Sequence, residues 1–275
     1  MALIVVALLA AGLVAWLLTP QWQAQWRERR ALAQPFPPAW RRILRRHVPY
    51  VARLPADRQQ QLKRLMQVFI AEVPFIGCRG LEVNDTMRVV VAAQACLLLL
   101  GRPQPRFAGL RQVLMYPAPF WVNRRHNDES GVLQEHREVL AGESWGEGQV
   151  ILSWPDCLAG AAQPGDGLNL VIHEFAHQLD QDNGPANGAP PGLPPTQARA
   201  WAPVFQAAYD RLCAEVDTGH EDTLIDPYGT TSPAEFFAVV CELFYEQPRA
   251  LAEQEPQMYG LLCGFFGVDP RAWGV

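Results

Sequence analysis

The stretch "HEFAHQLD", His173–Asp180, places two histidines four residues apart with a glutamate directly after the first. One helical turn holds 3.6 residues, so His173 and His177 share a face. Two imidazoles at that spacing can grip one zinc ion. Glu174 is rotated roughly 100° from His173, beside the metal face rather than on it. There it can take a proton from a zinc-activated water as the water attacks a carbonyl. The surrounding pattern supports a helix, because Leu168, Val171, Ile172, Phe175 and Leu179 form an apolar side in "GLNLVIHEFAHQLDQ".

A third ligand must come from elsewhere. A metzincin would carry Gly at 180 and His at 183, and this chain has Asp180 and Asn183 there. A carboxylate on a later helix is the other common solution. Asp210, Glu215, Glu235, Glu242 and Glu246 all qualify by helical placement. Glu235 also fits a capping box with Ser232, and Glu242 lies on the same face at i+7. Asp180, three residues after His177, is placed to orient a histidine ligand.

Outward from the motif, "LRQVLMYP" (110–117), "VLQEHREVLAGESW" (132–145) and "QVILSWPD" (149–156) read as strands. "QVILSWPD" has two readings: an edge strand beside the active-site helix that pairs with substrate backbone, as in zinc peptidases, or a plain core strand. "LPADRQQQLKRLMQVFIAE" and "NDTMRVVVAAQACLLLLG" read as helices, the second apolar all round and therefore buried. "DNGPANGAPPGLPP" (182–195) is a loop. Helices return at 196–216, 232–246 and about 248–263. The architecture expected is α+β, a small mixed sheet flanked by helices.

The ends and the bulk properties limit the setting. Net charge is −5 and pI about 5.7, so no basic face dominates the whole chain and no nucleic-acid partner is expected. The six cysteines form no CxxC pair, and several sit in apolar runs as small buried hydrophobes. "ALIVVALLAAGLVAWLL", Ala2–Leu18, has no polar side chain and reaches the short edge of a membrane-spanning helix. No basic residue precedes it, whereas Arg27, Arg29 and Arg30 follow. That asymmetry predicts a single-pass inner-membrane anchor with the body facing the cytoplasm. A cytoplasmic protein is the alternative location, and a cleaved signal peptide with a secreted protein is the rival reading of the apolar run. The expected organisation is an anchor over 1–19, a linker over 20–35 and a catalytic domain over 36–275. "WRRILRRH", Trp40–His47, is a basic helix that suits either anionic headgroups or plain solvent.

A set of longer blocks resembles the Mlc titration factor A family of bacterial zinc-dependent peptidases. Their core is similar to the protease domain of anthrax lethal factor. The blocks are "FPPAW" (36–40), "GLEVNDTMRVVVAAQACLLLLG" (80–101), "VLMYPAPF" (113–120), "LAGESW" (140–145), "VILSWPD" (150–156), "GLNLVIHEFAHQLDQDNG" (167–184) and "DPYGTTSPAEFFAVVCELFY" (226–245). The likeness spans roughly residues 36–270. It implies a zincin-like metallopeptidase domain with Zn2+ on His173, His177 and Glu235. It implies Glu174 as general base and Tyr228 as the hydroxyl that stabilises the oxyanion. It also implies aminopeptidase-like cleavage of peptides and, in some members, binding of an Mlc-like repressor. The alternative is a repressor-sequestering module on the same fold with little peptidase activity. Residues 1–18 depart from the family pattern, whose members lack an apolar leader.

Overall fold

The structure is a computed structural model. It describes residue 22 and residues 25–127, 133–140, 142–145, 148–220 and 222–273. Of these, 120–127, 133–140, 142–145 and 183 are described by backbone alone. The apolar run expected to be an anchor lies outside the described residues. Among the described residues no helix is long and apolar enough to cross a membrane.

Residues 25–33, within the expected linker, are helical. The Gln67 side chain donates to the Ala31 and Gln34 carbonyls at 3.1 and 2.9 Å, and Arg106 bridges Glu28 and Glu72. This part of the linker is therefore docked on the body. Next come α1 (Pro38–His47) and α2 (Ala56–Glu72), then the short strand β1 (Phe75–Gly77). Helix α3 (Asp85–Ala95) is capped by the Asn84 side chain, which accepts from Met87 N at 3.1 Å. As its apolar sequence requires, α3 is buried on every side from Val89 to Ala95.

The sheet follows. Strands β2 (Gln112–Tyr116), β5 (Gly142–Trp145) and β6 (Gln149–Ser153) join β1 in the order β1-β2-β6-β5. The pairs β1–β2 and β2–β6 are parallel and β5–β6 is antiparallel, so the sheet is mixed as expected. Strands β3 (Phe120–Asn127) and β4 (Leu133–Leu140) form a separate antiparallel hairpin. The single strand expected over 132–145 is thus two, β4 and β5. The expected edge role of "QVILSWPD" is overturned. β6 is paired on both sides, with Val113 opposite Val150 and Gly142 opposite Leu152, so its backbone groups are already used. The edge strand beside it is β5. The strand also stops at Ser153. Trp154 opens α4 (Trp154–Ala162), where Pro155 fits the first turn because that turn needs no N–H donor.

The motif helix is α5 (Leu170–Asp180), followed by α6 (Pro195–Asp217), α7 (Pro233–Glu246), α8 (Pro248–Gln254) and α9 (Pro256–Phe266). The helix expected over 248–263 breaks before Pro256, which disfavours a helical Glu255. Leu168 falls outside α5 and is exposed, correcting its place on the apolar face. Helix α5 lies on β6 and against α7. Its Phe175 packs between Phe69 and Phe107, with ring centroids 5.7 and 4.8 Å away. Burying such a side chain stabilises by roughly 1.5–3 kcal/mol. These contacts hold the apolar face of α5 in the core and turn the histidine face toward α7.

Candidate metal centre and cleft

Both walls of the site are helices fixed at their N-termini. The Asn169 side chain caps α5, accepting from Ile172 N at 3.1 Å. Ser232 Oγ caps α7, accepting from Glu235 N at 3.2 Å, and Pro233 takes the first turn. Only half of the capping box is used. The Glu235 carboxylate reaches two imidazoles, with Oε2 at 3.0 Å from His173 Nε2 and 3.3 Å from His177 Nε2.

His173, His177 and Glu235 offer ligand atoms that all lie within 4.8 Å of one another. In a tetrahedral site with bonds near 2.0–2.1 Å, ligand atoms stand roughly 3.3–3.4 Å apart. The two measured nitrogen–oxygen separations are close to that edge. Two neutral nitrogens and one carboxylate also match the donor set of catalytic zinc sites that keep one open position. The residues therefore fit a metal ion of the zinc type.

The other candidate carboxylates separate clearly. Asp210 and Glu215 lie on exposed parts of α6, and Asp210 accepts from Gln206 at 2.8 Å. Glu242 is two turns beyond Glu235 and bonds His173 Nδ1 at 2.8 Å through Oε1. Its Oε2 accepts the Asn169 N–H. One more turn along, Glu246 accepts from Asn169 Nδ2 at 3.0 Å and from Gly165 N at 2.7 Å. One face of α7 thus presents a ligand-type carboxylate, then one that orients a histidine, then one that ties down the turn before α5.

With Nδ1–H directed at Glu242, His173 is set to present its Nε2 lone pair. That orienting role was expected of Asp180, and the structure corrects it. Asp180 is fully buried and accepts from Asn187 N and Gly188 N at 2.8 and 2.7 Å. It anchors the 181–194 loop, which contributes no residue to the cleft lining among the described residues. Glu242 and Asn169 are the functional residues whose roles went unrecognised. Their signal was the spacing of Glu235, Glu242 and Glu246 along one helix face.

Electrostatics follow the geometry. Burial raises the Glu235 carboxyl, but the two imidazoles outweigh it and hold the group well below the usual carboxylate range. Burial lowers the His173 imidazole, yet Glu235 and Glu242 outweigh it and raise it well above its usual value.

His173 of the triad opens on a cavity of about 370 Å³ whose lining also includes Asp156, Leu168, Glu174, Tyr228 and Glu242. Glu174 is almost fully buried and flanks the histidines on α5. Tyr228 stands on the short helical turn Pro227–Thr231, half exposed, with its ring centroid 6.1 Å from that of His173. Asp226 fixes that turn by accepting Tyr228 N at 2.8 Å. A buried acid, one of the two metal-competent imidazoles and a tyrosine thus face one cleft.

The sequence profile of the glucose-regulated metallo-peptidase M90 family matches residues 22–267. An uncharacterised protein of Synechocystis sp. is 36% identical over 271 residues, covering 97% of each chain. Mlc titration factor A of Cronobacter sakazakii is 34% identical over 224 residues, 81% of this chain and 84% of its own. Its counterpart from Klebsiella pneumoniae is 33% identical over 226 residues, 82% of this chain and 84% of its own.

Proposed function

Because the chain belongs to the glucose-regulated metallo-peptidase M90 family, we propose that it is a zinc-dependent peptidase acting on the free N-terminus of peptides. The observation that carries this is the clustering of His173, His177 and Glu235 beside a cleft that His173, Glu174 and Tyr228 line. His173, His177 and Glu235 would hold the ion. A zinc ion so held lowers the pKa of a bound water to about 7 and polarises the substrate carbonyl.

The remaining steps belong to side chains. Glu174 takes the proton of the attacking water and passes it to the leaving amine. Tyr228 donates its O–H to the oxygen on which negative charge develops. Glu242 keeps His173 in the tautomer and orientation that leave Nε2 free for the metal. Near-complete burial around Glu174 strengthens these interactions by excluding water.

The proposed catalytic domain spans 36–275, and residues 1–19 are proposed as an anchor holding it at the cytoplasmic face of the inner membrane. A second reading draws on the name of the relatives, Mlc titration factor A: the same surface would bind an Mlc-like repressor. The two are separated by measuring metal content and turnover of the purified full chain on a panel of free and N-acetylated peptides. Metal-dependent release of N-terminal residues from free peptides alone supports the exopeptidase. Absence of turnover with tight repressor binding supports the second reading.

A further inference from the structure

A second cavity, about 640 Å³, lies away from the cleft, between α1, the turn after it and α2. Arg41, Arg42 and Arg45 of α1 and Lys63 of α2 line it, and no carboxylate does. None of these four cations makes an ion pair among the described residues. Its deeper wall is apolar, formed by the buried Leu44, Val48 and Val51. The catalytic proposal leaves this groove unused.

Four cations in one groove with no carboxylate partner among the described residues repel one another and attract an anion. An apolar wall beneath a basic rim matches an amphiphile better than a small hydrated anion. The chain just upstream exposes Trp22 and Trp26 at 69% and 59%, and Arg30 covers the Trp26 ring at 5.2 Å. Indoles and arginines together are the side chains that settle at a membrane interface.

We infer that the groove binds the headgroup of an anionic phospholipid, with the phosphate on Arg41, Arg45 and Lys63 and the glycerol and first acyl carbons against Leu44 and Val48. Arg42 adds charge at the rim. This does not depend on the apolar run of residues 2–18, which would take up lipid whatever the headgroup charge.

The test uses the full chain in nonionic micelles, titrated with monomeric dihexanoyl-phosphatidylglycerol, with amide hydrogen exchange followed over residues 38–63. Protection of these amides is expected, with far weaker protection by dihexanoyl-phosphatidylcholine. Each basic side chain near an anionic headgroup contributes roughly a 5-fold factor, so Arg41→Gln with Arg45→Gln should weaken binding by about 25-fold. Arg46→Gln with Arg53→Gln removes the same charge outside the groove and should change binding less than 3-fold, on the order of screened long-range attraction alone. Peptidase activity should be the same in both double variants. Equal protection by phosphatidylcholine, or equal weakening by the two double variants, would overturn the inference. So would equal protection by glycerol 3-phosphate, which would indicate a free-phosphate site. Displacement of the lipid by a hexaglutamate peptide that protects the same amides would assign the groove to an acidic protein segment instead.

Discussion

Replacing Glu242 by glutamine isolates the residue that separates an orienting carboxylate from a ligand. In the native site one carboxylate serves two donors, His173 Nδ1–H at 2.8 Å and the Asn169 backbone N–H. An amide has one acceptor oxygen and one NH2 donor. Whichever way the substituted side chain turned, one of those two N–H groups would face another donor. The change loses one charge-assisted bond, about 1.5–3 kcal/mol. It also releases the His173 ring from its fixed tautomer. Through the factor of ten per 1.36 kcal/mol, this corresponds to zinc binding weakened about 10–100-fold, the range found when partners of metal-bound histidines are removed. Competitive titration against a chromophoric chelator measures it, with Glu235→Gln as the ligand-loss control. Glu235→Gln should bind far more weakly than Glu242→Gln. Zinc affinity within 2-fold of wild type for Glu242→Gln, below roughly 0.4 kcal/mol, would refute the reasoning. Loss of all zinc by Glu242→Gln with retention by Glu235→Gln would reverse the two roles.

Tyr228→Phe should lower kcat by about 10²–10³-fold with metal content unchanged, as expected for loss of one oxyanion donor; steady-state kinetics with metal analysis checks both. Gly188→Ala should destabilise by at least about 1 kcal/mol, because φ there is +79° and a Cβ would meet the Pro233 carbonyl oxygen at 2.5 Å; a thermal melt reads it. Burial pushes the Glu246 carboxyl up to about 7, outweighing its bonds from Gly165 and Asn169. The folded protein therefore holds a proton there that the unfolded chain has already released above its ordinary value of 4.5. Stability from this group should fall as pH rises from about 4.5 to 7, by up to about 3 kcal/mol. The slope difference between wild type and Glu246→Gln in urea melts across that range isolates it, and parallel pH profiles would contradict it.

The motif helix and the two histidines were legible because a 3.6-residue period links sequence spacing directly to a shared face. The buried α3 was equally plain, since no polar side exists in "VVVAAQACLLLL". What failed depended on contacts distant in sequence. Glu235 and Glu242 share a face at i+7, and only the register of α7 against α5 determines which faces Nε2 and which faces Nδ1. Asp180 has the right spacing to approach His177, yet Asn187 and Gly188 take its carboxylate after the loop folds back. Strand β1 is three residues long, too short for any periodicity. Strand β3, "FWVNRRHN", belongs to a two-stranded hairpin outside the main sheet, so it carries no strong apolar alternation. The strand expected over 149–156 stops at Ser153, because Pro155 is an ordinary second residue of α4.

The most direct test of the proposed chemistry is hydrolysis by Glu174→Gln measured beside its zinc content. Glu174 flanks the metal-competent face of α5 without being one of the three clustered ligand residues. The account predicts wild-type stoichiometric zinc and a rate lowered by at least about 10²–10⁴-fold, the contribution of a positioned general base. Near-normal hydrolysis with zinc retained would contradict it.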